Sequence, residues 1–281
     1  MPGEQRFTRL VLGLNSAPSG HSVSFSVELA ELLGLNLLGL FLADDSLRHL
    51  ARFPFARELR LMGGGWQPLE PERVSGELDL AARSAARIFA EAVKARAPHS
   101  RFEVAHGPLQ QALASASTAA DIIVLIEPRS PAERATGQFR WLFEAALSSA
   151  AAVMLLPPQP ARRTGPIVAI AVTADDESVA VAASLAVAAR EPLVVVEAAG
   201  PGLDYPALRM ATEAGIAVQR LPVPGSPNAD VTAILDAMAG LQERLVVMSR
   251  LPADGEAAAA IAGRRATPVL LIEPAGAGAA E

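Results

Sequence analysis

Short unbroken apolar runs alternate along this chain with longer stretches in which apolar positions return every three or four residues. The first pattern marks strands buried on both faces, and the second marks helices with one face in a core. The runs are RLVLGL (9–14), LLGLFLA (37–43), DIIVLI (121–126), AVMLLP (152–157), IVAIAV (167–172), LVVVEA (193–198), RLVVMS (244–249) and PVLLIEP (268–274). Each half places one more strand between helices, FEVAHG (102–107) or AVQRLPV (217–223). Helical spacing is expected over 109–119, around 139–149, over 229–240 and around 256–264.

The pattern occurs twice. Residues 9–43 and 166–198 share one plan: apolar strand, polar turn, apolar-periodic helix, second apolar strand. Each half then runs on to five strands in a β-α-β-α-β-α-β-α-β order. Strands separated by helices need crossover connections and pair in parallel, so the fold class is α/β, with a five-stranded mainly parallel sheet flanked by helices in each half. The first unit covers 1–157, a Pro-rich linker 158–165, the second unit 166–274, and a tail with nothing to bury 275–281.

Residues 44–79 break the symmetry, because the second half has only AAGPGLD at that point. Two readings stand. In one, the insertion is an irregular excursion with a single short helix that packs Phe53, Phe55, Leu59 and Leu61 on the body. In the other it is a partner surface or lid. Phe53, Phe55 and Trp66 are a large share of the chain's aromatics, and they stand beside Arg48, Arg52, Arg57 and Arg60.

Composition narrows the partners. With 51% hydrophobic residues in 281, a core can be built in each half. A formal net charge of -6 argues against a general nucleic-acid binder. Absent cysteine removes disulfides, thiolate metal sites and a cysteine nucleophile, and a reducing cytoplasm is the expected home. The N-terminus lacks the apolar core of a secretory signal, and the apolar stretch 32–43 is too short to cross a bilayer, so neither export nor a membrane span is expected.

The doubled plan, with DIIVLI late in one half and PVLLIEP closing the other, resembles a tandem universal stress protein. FPFAREL at 53–59 also looks like a feature of bacterial tandem members. The resemblance implies two tandem Rossmann-like domains, paired about a pseudo-twofold axis through their final strands or assembled as a homodimer. Nucleotide-binding members carry an aspartate after the first strand and a G-x2-G-x9-G-(S/T) loop after the fourth. Its glycines let backbone N–H groups reach phosphates at a helix N-terminus.

That cradle is altered in both halves. Laid on the first, the three glycines fall on Ile126, Arg129 and Phe139, the closing hydroxyl falls on Arg140, and Asn15 stands for the aspartate. Pro128 and Pro131 remove backbone donors. In the second half Ser249 and Gly255 take the first and third glycine positions, and Thr173 stands for the aspartate. Glu256 replaces the hydroxyl, which sets a negative charge where phosphate would lie.

No other constellation carries chemistry. His21, His49, His99 and His106 lack metal-ligand spacing, and His106, after a strand, is the one placed where α/β sheets bind ligands. Asp44–Asp45 and Asp175–Glu177 are expected to be helix-start charges, Ser19 or Ser22 to cap the first helix, and Gly63–Gly65 to form a turn. The expectation is a non-catalytic binding or regulatory protein in stress adaptation, with no enzyme activity, no metal and no cofactor, and with an unknown protein partner at Phe53, Phe55, Arg57 and Trp66. The alternative is a member that binds ATP or AMP at one altered site, with Asn15 near the base or ribose and Arg129 or Arg140 near phosphate.

Overall fold

Ten strands form one continuous sheet in the computed structural model, which describes residues 6–14, 20–60, 65–94, 99–128, 138–149, 151–173, 175–223, 230–250 and 254–273. In chain order the strands are β1 (Arg9–Leu14), β2 (Asn36–Asp44), β3 (Arg57–Arg60), β4 (Gly65–Pro68), β5 (Ser100–Gly107), β6 (Asp121–Ile126), β7 (Ala152–Leu156), β8 (Ile167–Ala171), β9 (Leu193–Glu197), β10 (Val218–Pro222), β11 (Leu245–Ser249) and β12 (Val269–Ile272). The helices are α1 (Gly20–Leu32), α2 (Asp45–Ala51), α3 (Pro71–Val93), α4 (Leu109–Ala116), α5 (Gln138–Leu147), α6 (Glu177–Ala189), α7 (Ala207–Glu213), α8 (Val231–Ala237) and α9 (Asp254–Arg265).

The sheet order is β10-β9-β8-β11-β12-β7-β6-β1-β2-β5. All pairs within each half are parallel. The halves meet where β7 and β12 pair antiparallel, with Val269 opposite Leu155 and Leu271 opposite Val153. The two five-stranded sheets are therefore one sheet, joined through the final strand of each half. Both seam strands are buried at every residue, as runs of Val, Leu and Ile covered on two faces must be.

Alternate strand residues point to opposite faces, and each face has its own core. One core joins Val23, Leu29, Phe89, Val179, Leu185 and Ala211 from α1, α3, α6 and α7. The other joins Leu113, Phe139, Leu142, Ile234 and Ile261 from α4, α5, α8 and α9. The alanines of α6 let it lie close to the sheet, with Ala182, Ala183 and Ala186 fully buried. Gly39 does the same service for α3: a Cβ there would stand 2.8 Å from the Phe89 ring. In the linker, Gly165 adopts φ +128, and a Cβ would meet the Gln242 carbonyl at 2.2 Å.

Two expectations change. The insertion contains more than one short helix: after α2 comes a β3–β4 hairpin, a separate two-stranded antiparallel sheet, and α3 already begins at Pro71. Nor do Phe53, Phe55 and Leu59 pack on the body, since all three are at least half exposed. Ser22 is not a cap. It sits inside α1, buried, and its hydroxyl donates to the Pro158 carbonyl at 3.2 Å. Ser19, Leu61 and the tail lie outside the described residues.

Candidate functional site

In an open parallel sheet, ligands bind beyond the carboxyl ends of the strands where the winding reverses. Here that occurs twice, between β1 and β6 and between β8 and β11. At the first crevice Asn15 and Arg129 lie outside the described residues. Arg140 is placed on the exposed side of α5, where its Nε donates to Glu144 at 2.8 Å, one turn along. Buried Glu127 follows β6, and its backbone N–H is held by the Leu156 carbonyl at 2.8 Å.

The second crevice is described in detail, and a carboxylate fills it. Asp176 caps α6 from a buried position. Its Oδ1 accepts from the Ser178 N–H at 2.9 Å and from the Ser249 hydroxyl at 2.6 Å; its Oδ2 accepts from the Val172 N–H at 2.8 Å. The Ser178 hydroxyl donates in turn to the Ile170 carbonyl at 3.1 Å. Asp176 thus ties the end of β8 to the end of β11, and it takes up donors that an anion would otherwise use. Thr173 is exposed beside it. Gly255 lies in the first turn of α9, and the Glu256 side chain lies outside the described residues.

A second buried carboxylate stands on the neighbouring strand. Glu197, at the end of β9, accepts from Arg220 of β10, whose Nε lies 2.8 Å away and whose terminal nitrogen also donates to the Leu203 carbonyl at 2.6 Å. The guanidinium sits 5.7 Å from the Tyr205 ring centroid. The Tyr205 hydroxyl is buried without a hydrogen-bond partner. Burial pushes the phenol above its ordinary range, the charges of Glu197 and Asp176 push it further, and Arg220 opposes them. Both carboxylates are thus engaged within the chain, Asp176 by neutral donors and Glu197 by the Arg220 guanidinium.

Arg250, one residue past β11, points away from the crevice and across the seam. It donates to the carbonyls of Leu147 at 2.5 Å, Ser149 at 3.2 Å and Ala151 at 2.7 Å, closing the C-terminal end of α5 in the other half. Its burial lowers the guanidinium pKa, which the Glu273 charge partly offsets. Because Arg250 N–H bonds the Ile272 carbonyl as Glu127 N–H bonds that of Leu156, the two residues are equivalents in the repeat.

A match in architecture joins these observations. A universal stress protein from Archaeoglobus fulgidus DSM 4304 superposes with a TM-score of 0.66 over 96% of this chain and 98% of its own, at 14% identity. The chain has the fold of a universal stress protein. A candidate universal stress protein from Pseudomonas aeruginosa UCBPP-PA14 and a protein of unknown function from Pseudomonas aeruginosa PAO1 align at TM-scores of 0.49, with 16% and 15% identity, covering 96% of this chain and 95% and 94% of theirs. No family model and no curated protein matches the sequence.

On this universal-stress-protein fold the insertion makes a second candidate site. Strand alternation divides the hairpin. Glu58 and Gln67 are paired on one face, which is tied to α3 by a Glu58–Arg73 ion pair at 2.5 Å. Arg57, Leu59, Trp66 and Pro68 form the other face, and all are exposed. Phe53 and Phe55 stack just before it, ring centroids 5.4 Å apart. Arg48 anchors α2 through Asp79 at 3.2 Å and lies 3.4 Å from His106 Nδ1, so His106 serves as a contact to the insertion. His21, His49 and His99 are scattered and exposed, and no cluster of three metal-ligand side chains occurs among the described residues. No described helix is long and apolar enough to cross a membrane.

Sequence reasoning missed Asp176, Tyr205, Arg220 and Arg250 as members of these edges. Asp176 and Ser249 are 73 positions apart, and only the sheet order brings them together. An aspartate two residues before a serine at a helix start was the available signal, and it pointed to a cap alone.

Proposed function

We propose that this chain is a non-catalytic binding or regulatory protein of the universal-stress-protein fold, acting in stress adaptation in the bacterial cytoplasm without the usual ATP site. The observation that carries the reading is the buried Asp176 carboxylate, held by Ser249, Val172 and Ser178 at the β8/β11 crevice. A phosphate entering there would meet a like charge in a poorly solvated place, a juxtaposition that costs several kcal/mol. The exposed face of the insertion, with Phe53, Phe55, Arg57 and Trp66, is the contact surface.

Native mass spectrometry of the freshly purified chain, followed by calorimetric titration with ATP, AMP and cyclic AMP, tests this. The expected result is an apo mass and no saturable heat. Stoichiometric nucleotide would overturn the reading in favour of a nucleotide binder that uses the altered first-half site around Asn15, Arg129 and Arg140. In that case Arg129→Ala lowers the affinity.

A further inference from the structure

We infer that the exposed face of the insertion pairs two copies of this chain about a twofold axis. The inference names the partner for the contact surface just described, and it is independent of what the strand-end crevices bind. Leu50, Phe53, Phe55, Leu59 and Trp66 make up more than half of the large apolar side chains exposed among the described residues, with Phe55 75% and Trp66 63% exposed. Scattered apolar residues are ordinary on a surface, but a concentration in one short segment marks an interaction site. The three aromatic side chains alone leave on the order of 400 Å² uncovered, about half of what one partner contributes to a standard interface.

The charges around this face decide the occupant. Arg48, Glu58 and Arg73 are engaged within the chain, with Asp79, Arg73 and Glu77 as partners. Arg52 and Arg57 are exposed, and their side chains have no ion pair or hydrogen bond. The same is true of Glu70 and Glu72, which follow the hairpin at the start of α3. Among its described side chains the segment therefore offers two free cations and two free anions, close in sequence to one apolar face. A twofold contact is self-complementary: residue i of one copy meets j of the other, and j meets i. Apolar side chains can then pack across the axis while Arg52 and Arg57 of each copy face Glu70 and Glu72 of its mate.

The net charge of -6 sets the alternatives in order. Two such chains repel overall, and they approach best through a face whose free charges cancel. An anionic bilayer would meet the same net charge with Glu70 and Glu72 turned toward its headgroups, so the second copy fits better. A wholly acidic protein segment would satisfy the arginines and leave the two glutamates opposed.

Sedimentation velocity on the full chain from about 1 to 100 µM tests the pairing, over the range in which an interface near or below standard size assembles. A monomer–dimer equilibrium is expected. Phe55→Ser with Trp66→Ser should weaken it at least about tenfold, as loss of aromatic anchors does, with far-UV circular dichroism unchanged because both side chains are exposed. Arg52→Glu with Arg57→Glu should weaken it, as should Glu70→Arg with Glu72→Arg. Making all four exchanges in one chain should restore it, a rescue that requires a partner with the same sequence.

A wild-type chain that stays monomeric throughout would overturn the inference, as would a dimer indifferent to Phe55 and Trp66 or a four-position variant that remains dissociated. Binding of the monomer to phosphatidylserine vesicles, lost in Phe55→Ser with Trp66→Ser, would also overturn it while preserving the contact surface. The nucleotide titration fails or succeeds separately.

Discussion

Replacing Asp176 by alanine would strand the Ser249 hydroxyl in the interior, leave the part-buried Val172 N–H without its acceptor and remove the cap of α6. A lost cap costs about 0.5–2 kcal/mol and an unsatisfied buried group about 1–3, so a total loss of about 2–5 kcal/mol is expected in urea unfolding. Tyr205→Phe should act in the opposite direction. It removes a buried hydroxyl that lacks a partner and leaves the ring under Arg220, so stability near neutral pH should rise by about 1 kcal/mol.

The pH dependence checks the same residue. A phenol pKa raised in the folded state means that the native chain binds this proton more tightly than the unfolded one. Stability from Tyr205 is then full below the ordinary value of 10.0 and falls as pH climbs from there through the folded pKa. Urea midpoints measured from neutral to strongly alkaline pH should show a smaller loss above that value in Tyr205→Phe than in wild type. Little of this edge was legible in advance. Asp176 could be read as a helix-start charge because a cap is local, but its partner Ser249 arrives from β11 and Tyr205 meets Arg220 from β10. Such contacts follow from strand order, and no periodicity encodes them.

At the scale of elements, apolar runs were the reliable signal. β6, β7, β8, β9, β11 and β12 are almost wholly buried and carry the sequence expected of strands covered on both faces. The β3–β4 hairpin escaped notice because RELR and GWQP are four residues each, with no buried alternation to mark them. The early start of α3 was signalled only by Pro71 in its first turn, where a missing N–H is harmless. Arg250 shows how one side chain joins elements from different halves. Arg250→Met would leave the end of α5 without its three donor contacts, at a cost of about 2–4 kcal/mol in denaturant, since bonds from a charged donor are the stronger kind. The loss should appear first as faster amide exchange near 147–151, on the far side of the seam from the substitution.

At the scale of the whole molecule, the doubled pattern made the two halves visible, and the family resemblance implied that they join through their final strands, as β7 and β12 do. The antiparallel β7–β12 pairing merges both sheets, Arg6–Glu177 bridges the halves from outside, and Arg163–Glu28 ties the linker to the first half. Neither seam strand could be exposed without baring a row of Val, Leu and Met side chains together with an open sheet edge. Opening one half alone would leave the other with that edge, so the halves should unfold as one cooperative unit although the chain repeats itself. Native-state hydrogen exchange measures this directly. The amides of β6 and β7 and those of β11 and β12 should share one opening free energy equal to that of global unfolding, while the hairpin exchanges at far lower cost. Two separate energies for the two strand sets would mean that the seam is weaker than its burial implies, and that the halves behave as neighbours on one chain.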